Sequence, residues 1–167
     1  MKYLVFSDLH GSKWGLTLLE RAVSFHQPDV LLCLGDILYG TYDGDARKCI
    51  EYLSSKQRVI IGVRGNCDTY YDHQSLGFAL PESQVLFFKG HRLLLAHVPF
   101  FSSGKGDIVM YGHTHHKHLY EDNGVIFLNP GSIGKPRDDC ASYATIDEQS
   151  IYLYDAETSK MLKSLQI

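Results

Sequence analysis

At 167 residues, with 44% hydrophobic and 21% charged side chains, the chain can bury a core of its own, and its composition excludes an intrinsically disordered protein. A formal net charge of -3 excludes the strongly basic field with which proteins hold nucleic acid or anionic membrane. No run of residues approaches the apolar length that spans a bilayer.

The opening run Tyr3-Leu4-Val5-Phe6 reads as a buried strand extending to Ser7. It is far shorter than the apolar region of a signal peptide, so the expected location is cytoplasmic. Ser12 is placed to cap a helix whose apolar residues Leu16, Leu19 and Val23 recur at helical spacing, and Pro28 ends it. Val30 to Leu34 is a second apolar strand. Asp43 or Asp45 starts a second helix carrying Ala46, Cys49, Ile50 and Leu53 on one face, and Arg58 to Val63 supplies a third strand. This βαβαβ order predicts parallel strands with helices against a face.

The second half changes character. Short strands are expected over Val85–Phe88, Arg92–His97, Asp107–Tyr111, His118–Glu121, Val125–Leu128, Tyr143–Ile146 and Ile151–Tyr154. Turn signals separate them, among them Lys89-Gly90 and Asp122-Asn123-Gly124. No linker divides the halves, so residues 1–167 are expected to form a single domain with a mixed, two-sheet core. The four cysteines lack CxxC spacing, which suits reduced thiols; Cys33 and Cys49 read as core residues.

The polar residues fall in one place on this map. Asp8 and His10 follow the first strand, Asp36 the second, and Asn66-Cys67-Asp68 the third; His97 ends a later strand, and His113 and His115 follow another. Open α/β sheets bind ligands at such carboxyl ends. Asp, Asn and His without thiolate clusters suit divalent ions such as Mn²⁺, Fe²⁺ or Zn²⁺. Seven such donors (Asp8, His10, Asp36, Asn66, His97, His113 and His115) exceed what one four-coordinate ion needs. Two ions ~3.5–4 Å apart would use them all, and that arrangement serves phosphoryl hydrolysis.

The ordered blocks Asp8-x-His10, Gly35-Asp36, Gly65-Asn66-x-Asp68, His97 and Gly112-His113-x-His115 resemble the calcineurin-like metallophosphoesterase superfamily. Gly65-Asn66-Cys67-Asp68 and Asn129-Pro130-Gly131-Ser132, followed by Pro136-Arg137, are similar to its small bacterial and archaeal phosphodiesterase branch. The resemblance implies a four-layer αββα sandwich of two mixed β-sheets flanked by helices. It implies that Asp8, His10, Asp36 and His115 hold one divalent ion and that Asp36, Asn66, His97 and His113 hold a second. Manganese is expected first, with iron, zinc or nickel as alternatives, and a bridging hydroxide would be the nucleophile. The implied substrate is a small phosphoester, and the implied assembly a homodimer or larger homo-oligomer.

Many relatives carry His where this chain has Cys67, paired with the following acid to protonate the leaving oxygen. A thiol of pKa ~8.5 matches that task less well. The branch with this cysteine tends toward diesters, and Asn66, Cys67 and Asp68 are the expected catalytic group. The general acid stays open, with His73 and His116 as candidates by proximity. Val98 after His97, where relatives often have Gly, raises the question of whether His97 keeps its place. Plainer readings stand beside these. His26, His91 and His118 read as structural, Lys135 as solvated surface charge, and Cys67 equally as a space-filling residue. Arg137 is a candidate for binding substrate phosphate or anchors its own loop. Tyr70-Tyr71 and Phe100-Phe101 line either the cleft, a subunit contact or the core. Two functional alternatives remain: a phosphomonoesterase or nucleotide pyrophosphatase with the same chemistry, and a non-catalytic scaffold of the same fold.

Overall fold

The computed structural model describes residues 1–39, 44–56, 59–99 and 102–167. Asp43, Arg58 and the pair Phe100-Phe101 therefore lie outside the described residues. The first strand, β1 (Tyr3–Phe6), is followed by helix α1 (Lys13–His26), β2 (Val30–Cys33), α2 (Gly44–Ser55), β3 (Ile60–Gly62) and α3 (Tyr70–Leu76). Then come β4 (Ser83–Phe88), β5 (His91–Ala96), β6 (Ile108–Met110), β7 (His118–Asp122), β8 (Val125–Asn129), β9 (Ser142–Ile146), β10 (Ser150–Asp155) and β11 (Met161–Gln166).

Two mixed sheets result, as expected. One has the order β11-β10-β9-β1-β2-β3 and the other β4-β5-β6-β8-β7. β1 pairs in parallel with β2, and β2 with β3, as the βαβαβ pattern predicts. On its other side β1 runs antiparallel to β9, with Tyr3 opposite Ile146. In the smaller sheet β5, β6 and β8 are parallel.

The period-two alternation of a strand explains why β1 is apolar throughout. Tyr3 and Val5 face the second sheet, packing with Leu93, Leu95, Met110 and Leu128. Leu4 and Phe6 face the helices, packing with Leu16, Leu19, Cys49, Leu53 and Leu76. All three described helices cover this outer face of the six-stranded sheet. The outer face of the five-stranded sheet carries a small cluster of Leu94, Val109 and Val125, while Val85, Phe87 and Tyr120 stay exposed. No helix among the described residues is long and apolar enough to cross a membrane.

Local signals account for the helix ends. The Ser12 hydroxyl accepts from the Gly15 amide at 3.1 Å, and Gln27 closes α1 in a left-handed conformation before Pro28. Two elements escape the sequence reading. α3 is a seven-residue helix whose only buried residues are Asp72 and Leu76, too short to show a period. β11 is mostly exposed and pairs with β10 alone, so it lacks the apolar alternation of an inner strand.

Candidate metal centre

The loops after β1, β2, β3, β5 and β6 all leave their strands at one end of the sandwich. Backbone bonds first lock the loops to one another. The Asp8 amide donates to Gly35 O at 3.0 Å, and the His10 amide to Asp36 O at 2.9 Å. The Gly112 amide donates to His97 O at 3.1 Å. Two glycines make this closeness possible. A Cβ on Gly65 would lie 2.0 Å from Asp36 Oδ1, and one on Gly112 would lie 2.0 Å from Ser7 Oγ.

Five candidate donors sit at positive φ: Asp8 (55°), His10 (52°), Asp36 (52°), His113 (66°) and His115 (63°). Left-handed backbone at a non-glycine residue costs of the order of 1–3 kcal/mol and persists only where the surroundings impose it. Here it turns each side chain off the strand axis and into a common pocket.

The donor atoms converge there. His115 Nε2 lies 3.2 Å from Asp8 Oδ1 and 3.3 Å from His10 Nε2. His10 Nε2 is 3.8 Å from both Asp8 Oδ1 and Asp36 Oδ2, and His97 Nε2 is 3.4 Å from Asp36 Oδ2. Ligands bound ~2.1 Å from one ion stand roughly 3–3.5 Å from each other. Among the described residues three groups have donor atoms all within 4.8 Å of one another, somewhat looser than that spacing: Asp8 with His10 and His115, Asp8 with Asp36 and His97, and His10 with Asp36 and Cys67. Asn66 Oδ1 joins from the rim, 3.1 Å from His97 Nε2 and 2.9 Å from His113 Nδ1.

The far ring nitrogens fix two tautomers. His97 Nδ1 donates to Leu34 O at 2.8 Å and His115 Nδ1 to Lys135 O at 2.5 Å, leaving both Nε2 lone pairs aimed inward. His97 is only 3% exposed, so Val98 does not displace it. One buried oxygen facing the other donors, Asp8 Oδ1, has no hydrogen-bond partner among the described residues; His10 Nδ1 also lacks one, but it lies across the ring from the Nε2 that faces the donors. Orphaned buried acceptors cost about 1–3 kcal/mol each, and a cation relieves that cost. The residues present thus fit divalent ions.

Electrostatics point the same way. Burial pushes the His10 imidazolium down to about 4, so this ring is neutral and keeps its lone pair. Burial works to raise the Asp36 carboxyl, but the adjacent His97 ring and a hydrogen bond from the Cys67 amide at 2.8 Å hold it at about 2. Burial raises Asp8, opposed by Ser7 and the nearby histidines. The Cys67 thiol is pushed up to about 11 by burial and by Asp36.

Asp68 has contacts of another kind. Its Oδ1 accepts from the Ile37 and Leu38 amides at 2.8 and 3.2 Å, and its Oδ2 from the Gly65 amide at 2.9 Å. It clamps the loop after β2 to the loop after β3. Asn129 and Ser132 do the same for other loops. Asn129 Nδ2 donates to Gly112 O at 2.8 Å, and Ser132 Oγ donates to Asp8 O at 2.8 Å. Sequence alone points to Asn129-Pro130-Gly131-Ser132 only through resemblance, because a loop-to-loop bond leaves no local pattern.

The two general-acid candidates lie elsewhere. His73 faces a separate cavity beside Ala79 and Leu80, and His116 is exposed and bonded to Asp138 at 2.8 Å. Tyr70 and Tyr71 are about 70% exposed, which rules out core packing. His26 is structural as expected, bonding the Tyr143 hydroxyl at 3.0 Å. Lys135 is exposed, as expected of a surface charge, but it also borders the site. With Arg137 it lines the cavity next to His10 and His115, and its ammonium sits 4.1 Å above the Tyr39 ring.

Comparison with known proteins agrees with this picture. The phosphodiesterase YfcE of Escherichia coli is 37% identical, with 88% of each chain covered. The solved structure of YfcE superimposes over 100% of both chains with a TM-score of 0.92, at 25% identity in that superposition. Vps29 from Entamoeba histolytica, solved with Zn²⁺, matches 100% of this chain and 98% of its own at a TM-score of 0.65 and 19% identity, a likeness of fold. A family model described as the calcineurin-like phosphoesterase superfamily domain matches residues 1–150, and the chain belongs to that superfamily.

Proposed function

We propose that this protein is a metal-dependent phosphodiesterase that hydrolyses small phosphodiesters at a dinuclear centre. The observation that carries the reading is the convergence of buried Asp8, His10, Asp36, His97 and His115, with Asp8 Oδ1 lacking a hydrogen-bond partner among the described residues. The similarity to YfcE, itself a phosphodiesterase, supports the diester preference.

In this reading Asp8, His10, Asp36 and His115 hold one ion, and Asp36, Asn66, His97 and His113 the other. The mixed oxygen and imidazole set suits a first-row divalent ion, and manganese is the one proposed, with iron, zinc or nickel as alternatives. When bound, the ions supply an ionised water near neutral pH and polarise the phosphoryl oxygens. The chain's own part is to orient. Asp36 stays ionised far below neutral pH and faces both donor groups. Asn66 projects its amide over the pocket mouth. Cys67, a neutral thiol at pH 7, neither attacks phosphorus nor repels a diester anion. Asp68 acts through backbone, setting the distance between the Asp36 and Asn66 loops. The four free cysteines favour a reducing compartment, consistent with the cytoplasm. Residues 1–167 would act as one domain. Self-association through the open face of the five-stranded sheet, where Val85 and Phe87 are exposed, belongs to the same reading; a purely monomeric species in light scattering counts against it.

The test is hydrolysis of bis(p-nitrophenyl) phosphate with added Mn²⁺, alongside p-nitrophenyl phosphate. Turnover of the diester well above the monoester is expected, and Cys67→His should narrow the gap. Equal turnover of both esters in the wild type would contradict the diester assignment.

A further inference from the structure

Two cavities flank the centre, and their charges differ. The one beside His97 and Asn66, of ≈ 390 Å³, contains Arg64, but that guanidinium is bonded to Glu82 at 2.7 Å and its charge is balanced. The one beside His10 and His115, of ≈ 260 Å³, contains Lys135 and Arg137. Neither forms an ion pair among the described residues. The acids that follow them in sequence are already engaged. Asp138 accepts from His116 Nδ1 at 2.8 Å and from the Lys117 amide at 2.6 Å, and Asp139 pairs with Lys117 Nζ at 2.5 Å. The loop between β8 and β9 therefore engages its acids elsewhere and leaves its cations without an ion-pair partner among the described residues.

Lys135 is also held in place. Its ammonium rests 4.1 Å from the centroid of the Tyr39 ring, and Tyr39 itself packs against His10 with ring centroids 5.4 Å apart. A lysine seated on an aromatic ring has given up part of its rotamer freedom before a ligand arrives. Two divalent ions on two buried carboxylates already leave a cationic centre, enough for the single negative charge of a diester. Two further cations on one side, without an ion-pair partner among the described residues, exceed that need.

We infer that the Lys135–Arg137 cavity is a subsite for a second anionic group, so that the preferred substrate is a phosphodiester bearing an additional phosphate, with its neutral portion on the Arg64–Glu82 side. The inference rests on the diesterase reading above and narrows its substrate class. It makes Lys135 and Arg137 specificity determinants, separate from the donor set.

The experiment compares a dinucleotide carrying a 5′-terminal phosphate with the same dinucleotide lacking it, on the full chain loaded with Mn²⁺. The expected ratio of kcat/KM is about tenfold in favour of the phosphorylated form, the worth of one hydrogen bond to a charged group. In the double variant Lys135→Ala, Arg137→Ala the ratio falls to about one, mostly through KM. Lys135→Arg, which keeps the charge, preserves it. A wild-type ratio near one overturns the inference, as does a ratio that survives in the double variant while both substrates slow equally. Should neither dinucleotide be cleaved, the ratio of their dissociation constants by calorimetry takes its place: about tenfold supports the subsite, and about one overturns it. Failure of the diesterase reading would show separately, as no turnover of bis(p-nitrophenyl) phosphate.

Discussion

The floor and the rim of the candidate metal centre are built in different ways. On the floor, Asp8, His10, Asp36, His97 and His115 are no more than 8% exposed, and backbone groups from other loops fix them. At the rim, Asn66 and His113 are exposed and hold mainly each other, with Cys67 half-buried beside them. Core packing thus sets the floor, whereas the rim depends on contacts among the donors. The floor should keep its geometry if the rim is cut away, but the reverse should not hold.

The largest effect that tests this contrast is expected from Asp36→Ala. Removing a carboxylate that faces both donor groups should release both ions and lower kcat by about 10³-fold or more. Metal analysis by mass spectrometry beside the rate assay checks it, and near-normal metal content would mean the floor is not the metal centre. His113→Ala probes the rim. It should keep one ion per chain and lose about 10–100-fold in activity. Loss of both ions would erase the distinction between floor and rim. Chelation tests both regions together. Protein with Mn²⁺ at about 100 times the dissociation constant of each of the two sites should melt ~10–20 °C above the chelated form, because only the folded chain gathers the donors. The smallest effect provides a baseline far from the centre. Asp107 accepts from Arg92 at 2.8 and 2.6 Å and from the Gly104 amide, and the Arg92 bonds hold its carboxyl below the usual range. A lowered carboxyl contributes stability above ~4 and loses it as pH falls through the folded value. Asp107→Asn should therefore cost less than about 1 kcal/mol at pH 7, and the gap to wild type should close below pH ~4 in urea titrations while metal content is unchanged.

Much of the floor is legible in the sequence because its chemistry is written locally. Asp8, Asp36, His97 and His115 each stand just past an apolar run, and strand ends are where an α/β sheet leaves room for ligands. The buried strands are legible for the same reason, since Tyr3 to Phe6 is apolar on both faces. What cannot be read depends on partners distant along the chain. Asp68 looks catalytic from its place in a motif, but its three amide bonds exist only once the loop after β2 lies beside it. Lys135 looks like solvent-facing charge because Tyr39, its neighbour in space, is far away in the chain. β11 is invisible because an edge strand can be polar on both faces.

The place of β1 has a consequence for how the protein comes into being. Its two neighbours are β2, which follows closely, and β9, whose Ile146 lies opposite Tyr3. During synthesis β1 must wait for β9 before its second edge is covered. Such distant pairing slows folding and leaves a sticky intermediate while synthesis continues. Asp8 and His10 sit at the end of that waiting strand, so a nascent chain halted before residue 142 should not assemble the ion site at all. Metal capture then marks that synthesis has passed β9.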